Sequence, residues 1–239
     1  MKNAILAGAA IAALTTAAEA SVKINEFEPN PVGADAASQQ FEFLGTPGEF
    51  FSGWVLSIEA DNISAAGTVD RASTFSGTFD ANGLLLVSIP DLENPSNTVL
   101  LTDTFTGSVG DDLDTDNDGV IDDTGNWNEV LDAIAILDTA SDFSYASQLG
   151  GTDFPDIGDE PRLVFRDSVT MDWFAINDVS GDDDIFDQAG DIVTAAFDPA
   201  ALGDTFGAIN PTQVSQVIPV PAAALLFAPA LAMLRRRRG

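Results

Sequence analysis

An all-β fold, built as an antiparallel β-sandwich, is what the sequence predicts. Short apolar segments recur from Val22 to Ile176, each closed by Gly, Pro, Asn or Asp, and no long helical pattern separates them. Aspartate outnumbers glutamate by 29 to 9, and the short carboxylate favours turns, loops and oxygen-ligand metal sites over helix interiors. The chain holds no cysteine, but its 16 phenylalanines and many branched aliphatics suffice for one core without disulfides.

Taken in order, residues 22–27 alternate, with Val22 and Ile24 on one face. Phe41-Glu42-Phe43-Leu44 follows a polar loop, and residues 51–58 carry Trp54, Leu56 and Ile58 at period two. Residues 84–89 and 99–102 are compact apolar runs. Residues 130–137 alternate Val130, Asp132, Ile134 and Ile136 against Leu131, Ala133, Ala135 and Leu137, a pattern that a helix also fits. Residues 163–166 and 171–176 follow as predicted strands, and 178–216 reads as an acidic spacer rich in Gly, Asp and Ala with room for one last strand. Within it, residues 178–191, with Asp182, Asp183, Asp184 and Asp187, read as a solvated acidic loop.

Both ends carry export signatures. Lys2, the apolar run 4–14 and Ala18-Glu19-Ala20 make residues 1–20 a secretory signal peptide cut before Ser21. Residues 217–239 join a proline-containing motif to an apolar run ending at Leu234 and then to Arg235, Arg236, Arg237 and Arg238. About 18 apolar residues just span a bilayer, and terminal arginines hold the distal end in the cytoplasm. Ile218-Pro219-Val220-Pro221-Ala222-Ala223 resembles the V-P-x-P-A-A variant of the PEP-CTERM sorting tails, with Ile in place of the first Val. That resemblance implies a Gram-negative bacterium, an exosortase-type sorting enzyme as partner, transient anchoring in the inner membrane, and delivery to the cell surface, outer membrane or extracellular matrix.

Between these ends the charge is one-sided. Lys23, Arg71, Arg162 and Arg166 face 37 carboxylates, so residues 21–216 carry 4 minus 37, or −33. Such a surface repels nucleic acid and anionic membranes. The absence of histidine removes Ser-His-Asp and Cys-His catalysis and histidine-ligated zinc.

Four early segments carry a second resemblance: Ile24-Asn25-Glu26, Pro29-Asn30-Pro31, Phe41-Glu42-Phe43-Leu44 and Gly53-Trp54-Val55-Leu56. In this order they resemble the opening strands of the lamin-tail domain family, and Asp132 to Ile136 and Pro161 to Arg166 look like its later strands. The second segment departs from the family's I-E-L pattern. The resemblance implies an immunoglobulin-like antiparallel β-sandwich over residues 21–177 that binds or scaffolds. In such a fold Trp54 fills the gap between the sheets, and Glu26 and Glu42 bond loop amides as structural carboxylates.

Residues 112–125 form the strongest chemical motif. From Asp114 the spacing is D-x-D-x-D-G, with Asp114, Asp116 and Asp118 as side-chain ligands, Gly119 at the sharp turn and Val120 offering a carbonyl. Ile121 pins the loop, Asp122 stands ninth, and Asp123 supplies an oxygen where Gly125 replaces the final glutamate of an EF-hand. Hard oxygens at this spacing converge on calcium, in the manner of thrombospondin type 3 and dockerin-like loops. Asp123-Thr124-Gly125 also spells the aspartic-protease tripeptide but lacks the second copy that chemistry needs.

Together these features predict a non-enzymatic, calcium-stabilised exported protein that binds or scaffolds, with matrix polysaccharide or other matrix proteins as partners. The alternatives are a secreted carboxylate-pair glycosidase, which needs no histidine, and a polysaccharide-binding module.

Overall fold

A computed structural model describes residues 22–31, 37–63, 65–92, 96–178, 183–198 and 203–214. The predicted signal peptide and sorting segment lie outside these residues, and among them no helix is long and apolar enough to cross a membrane.

The described chain is a two-sheet all-β sandwich. One sheet runs in the order β11 (Asp183–Phe186), β10 (Trp173–Asp178), β9 (Leu163–Arg166), β1 (Lys23–Phe27), β2 (Ser38–Leu44) and β5 (Leu84–Pro90). The other runs β4 (Val69–Thr78), β3 (Phe50–Glu59), β6 (Asn97–Thr102), β7 (Val130–Ile136) and β8 (Thr152–Asp153). Pairing is antiparallel except between β7 and the two-residue β8. Residues 130–136 are therefore strand, the helical alternative being excluded by their ladder to β6.

Phe27, Phe41, Phe43 and Trp173 from the first sheet meet Val55, Phe75, Leu101 and Ile134 from the second in the central core. Phe43 and Phe75 stack across it with centroids 4.1 Å apart. Part of each sheet is also apolar on its outer face. Leu56, Ile58, Leu100 and Ala133 turn outward from the second sheet and lie beneath the connections 103–129 and 137–149, which contribute Leu113 and Tyr145. Phe165, Phe174 and Ile176 turn outward from the first sheet and lie beneath Phe197.

Three expectations are corrected. Trp54 does not enter the gap between the sheets: it shares a face with Leu56 and Ile58, packs in the outer cluster and meets Phe105 edge-on at 5.6 Å. The period-two reading of β3 holds, but Val55 is the residue facing the first sheet, and the indole in the central core belongs to Trp173. Of the spacer expected over 178–216, residues 183–198 and 203–214 belong instead to the folded body, and the one last strand allowed for it is β11. Its β11 pairs with β10, Arg162 grips Asp183 through two bonds of 2.9 and 2.8 Å, and Phe197 caps the first sheet. The solvated loop expected within it accordingly contains a strand. Further on, Thr212 and Gln213 bond Asp167, and Val214 bonds the carbonyl of Ala196. Finally, β4 has no counterpart among the predicted strands, because Arg71, Ser73, Thr74 and Ser76 dilute its apolar alternation.

A buried ion pair ties the sheets together. Arg166 Nη2 lies 2.9 Å from both oxygens of Asp132 on β7, while its Nε and Nη1 donate to the carbonyls of Ile24 and Met171. Asp132 also accepts the Ile24 amide at 3.0 Å, and the guanidinium sits 4.0 Å from the centre of the Trp173 ring. Asp132→Ala strands a buried cation and is expected to cost about 3–5 kcal/mol in urea unfolding. The double variant Asp132→Leu/Arg166→Met is expected to recover most of that; equal losses would assign the effect to packing.

Candidate metal centre

The acidic loop is built on the outer cluster of the second sheet. Leu113 is fully buried there and Ile121 packs against it, so apolar side chains anchor the loop on both sides of the turn. Backbone bonds complete the attachment: Leu113 donates to Gly67, and Asp122 donates back to Leu113 at 2.7 Å. A Cβ on Gly67 would collide with that of Asp114, so the close approach of the two chains requires glycine.

Asp114 organises the turn. Its carboxylate is sealed from solvent, Oδ1 accepts the Asp118 amide at 3.1 Å, and Oδ2 accepts the Gly119 amide and the Tyr145 hydroxyl, both at 2.8 Å. Gly119 adopts φ +85°, and a Cβ there would stand 2.7 Å from the Phe143 ring, so the glycine read from the sequence is needed for both reasons. Burial pushes the Tyr145 phenol up, and its bond to Asp114 adds to the shift, which keeps the hydroxyl a donor.

Ligand oxygens of Asp114, Asp116 and Asp122 all lie within 4.8 Å of one another. The charge of Asp118, together with burial and the charges of Asp122 and Asp114, pushes the Asp116 carboxyl above its ordinary range. In the same turn, Asn117 takes φ +55° and its side-chain oxygen is buried with no hydrogen-bond donor. Hard, anionic oxygens of this kind could hold a hard divalent cation and suit it better than a soft transition metal.

The other predicted ligands stand differently. Asp118 Oδ1 accepts the Val120 amide at 3.0 Å, Val120 is exposed, and Asp123 Oδ1 accepts the Gly125 amide at 2.8 Å. None of the three belongs to the cluster of Asp114, Asp116 and Asp122. Sequence reasoning missed the supports. Tyr145 reaches Asp114 from 31 residues away, and Gln148 brackets the turn by accepting the Ile121 amide at 3.0 Å and donating to the Gly119 carbonyl at 2.8 Å. Their only sequence signal is weak: Tyr145 is the single tyrosine of the chain.

No protein-family model, curated protein or solved structure matches the chain.

The supports are separable by mutation. Tyr145→Phe removes a buried donor from a carboxylate and is expected to lower stability by about 1.5–3 kcal/mol in urea unfolding. Thr115→Val removes a donor from the exposed side of Asp122 and is expected to cost less than about 1 kcal/mol. Equal losses would refute the anchoring role given to Asp114.

Proposed function

We propose that this protein is an exported, calcium-stabilised binding or scaffolding module of a bacterial surface or extracellular matrix, and not an enzyme. On this reading the sandwich is immunoglobulin-like and of lamin-tail type. An exosortase-type enzyme recognises residues 217–239 after the signal peptide has directed export, and matrix polysaccharide or matrix proteins are the partners. The observation that carries the reading is the gathering of Asp114, Asp116 and Asp122 on a loop fixed to the outer cluster of the second sheet.

In this role the ion is structural. Asp114 contributes the buried, pre-oriented oxygen, Asp116 and Asp122 close the site from the solvent side, and a bound cation relieves the repulsion that raises Asp116. Because Leu113 and Ile121 belong to the loop, fixing the loop also fixes the cover of the second sheet. The surface that results is strongly anionic, which suits bridging to neighbouring anionic chains through shared divalent cations.

The non-catalytic reading has its own support. Glu26 and Glu42, both pushed to higher proton affinity chiefly by burial, stand opposite each other on neighbouring strands and are the carboxylate pair a glycosidase reading would turn to. With the 203–214 segment bonded over them both are sealed from solvent, and in that state no glycosidic bond reaches them.

Calcium at about 100 times its Kd adds about 2.7 kcal/mol to a protein that binds it only when folded. For a body of this size that raises the thermal midpoint by about 5–10 °C. The full chain is expected to show this rise over a chelator control, and Asp114→Ala and Asp116→Ala are each expected to abolish it. An unchanged midpoint in the wild type, or a rise that survives both variants, would remove the calcium reading.

A further inference from the structure

Glu26 and Glu42 are register partners across β1 and β2, and both are fully buried. A strap formed by residues 203–214 covers them. Glu26 Oε1 accepts the Thr205 amide at 2.8 Å, and Glu26 Oε2 lies 2.8 Å from Thr205 Oγ1. Glu42 Oε1 accepts Asn25 Nδ2 at 2.7 Å, and its Oε2 accepts the Gly207 amide at 2.6 Å. Thr205 Oγ1 is also 2.9 Å from Asn210 Oδ1.

The orientation of the Asn210 amide is fixed, because its nitrogen donates to the carbonyls of Asn25 at 3.1 Å and Arg166 at 2.9 Å. Its oxygen therefore faces Thr205 as an acceptor. The threonine hydroxyl has one proton and stands between two oxygens. If it donates to Asn210, the contact with Glu26 Oε2 is a hydrogen bond only when Glu26 brings a proton of its own. We propose that Glu26 is a proton-operated latch: its carboxyl proton bonds Thr205 Oγ1, whose own proton bonds Asn210 Oδ1, and loss of the Glu26 proton loosens the 203–214 strap from the sheet.

The surroundings favour the protonated form. Burial, aided by the charges of Glu42 and Asp204, lifts the Glu26 carboxyl to about 7 against the opposing bonds from Thr205. Burial also raises Glu42, with Asp80 adding to it, and raises Glu28 just beyond β1. Among the described residues no cation is set against Glu26, while Arg162 partly offsets the rise of Glu28. Phe165 stands opposite Glu26 on β9, the Arg166 guanidinium is committed to Asp132, Ile24 and Met171, and Lys23 donates to the carbonyl of Leu131. The far end of the strap behaves differently. Burial opposes the charge of Asp167, but bonds from the amides of Thr170, Gln213 and Val169 outweigh it and hold the carboxyl below its usual range. That anchor stays ionised while the Glu26 end titrates.

Opening returns Glu26 to an ordinary carboxyl near 4.5. The closed strap thus binds the proton more tightly, so closure is most favoured below pH 4.5, weakens as pH rises to about 7, and is flat above that. The strap is the last described stretch before residues 217–239. Because Thr212 and Gln213 stay bonded to Asp167, opening frees the strap over residues 203–211 and leaves its attachment nearest that C-terminal run in place.

Hydrogen exchange of the full chain at pH 5 and pH 8, corrected for intrinsic rates and referenced to β6, tests the latch. Protection of the Thr205 and Gly207 amides is expected to fall at least roughly tenfold between the two pH values in the wild type, with Gln213 unchanged. Glu26→Gln, which keeps the acceptor and supplies a permanent donor, is expected to stay protected at both. A pH-independent strap in the wild type, or an equal fall in Glu26→Gln, would overturn the proposal. Should that variant fail to fold, the Glu26 Cδ resonance of ¹³C-labelled wild type decides: a midpoint well above 4.5 supports the latch, and an ordinary midpoint refutes it.

Discussion

The inner strands of the second sheet, with β9 and β10 of the first, are apolar on both faces, and the rest of the structure follows from that constraint. An antiparallel sheet ordinarily turns one face to water and alternates accordingly. Here all six residues of β6 are buried, and β3 sends Val55 inward but Trp54, Leu56 and Ile58 outward. The first sheet repeats the arrangement with Phe165, Phe174 and Ile176. Two outer faces of this size must be covered by the chain itself, so the 103–129 and 137–149 connections and the segment after β10 are structural layers.

That requirement explains why the acidic loop is where it is. A stretch with so many aspartates has no intrinsic reason to lie flat on a sheet, and Leu113 and Ile121 supply one. Once those two are buried, the carboxylates between them are held on a tight turn, with Asp114 drawn under the surface onto Tyr145 and two amides. Fold and site are the same object at this point: the residues that complete the cover are the residues that concentrate the charge. The Glu26 region follows the same logic on the opposite face, where a polar strap crosses two carboxylates that the sheet has removed from water.

The apolar strands were legible because their signal is intrinsic to a few adjacent residues. Phe41-Glu42-Phe43-Leu44, the run around Val99 and the alternation after Val130 all became strands. The acidic loop was legible for a similar reason, since the D-x-D-x-D-G spacing and Gly119 are local. What could not be read depends on partners distant in sequence. β4 is polar and is held by its ladder to β3, and β11 reads as a charged loop until Arg162 and β10 are beside it. Trp54 shows the limit most directly. Period two gave its face correctly, but which side of the second sheet meets the first sheet is decided by neighbours the strand does not contain.

The central claim is that the acidic loop and the outer cluster of the second sheet form one unit fixed by a cation. Residue-resolved hydrogen exchange on the full chain, with calcium and with chelator, measures this most directly. The account predicts that calcium slows exchange both in residues 112–123 and in the β3, β6 and β7 amides beneath them, leaving β9 and β10 unchanged. Exchange unaffected by calcium throughout, or slowed only in the loop, would contradict it.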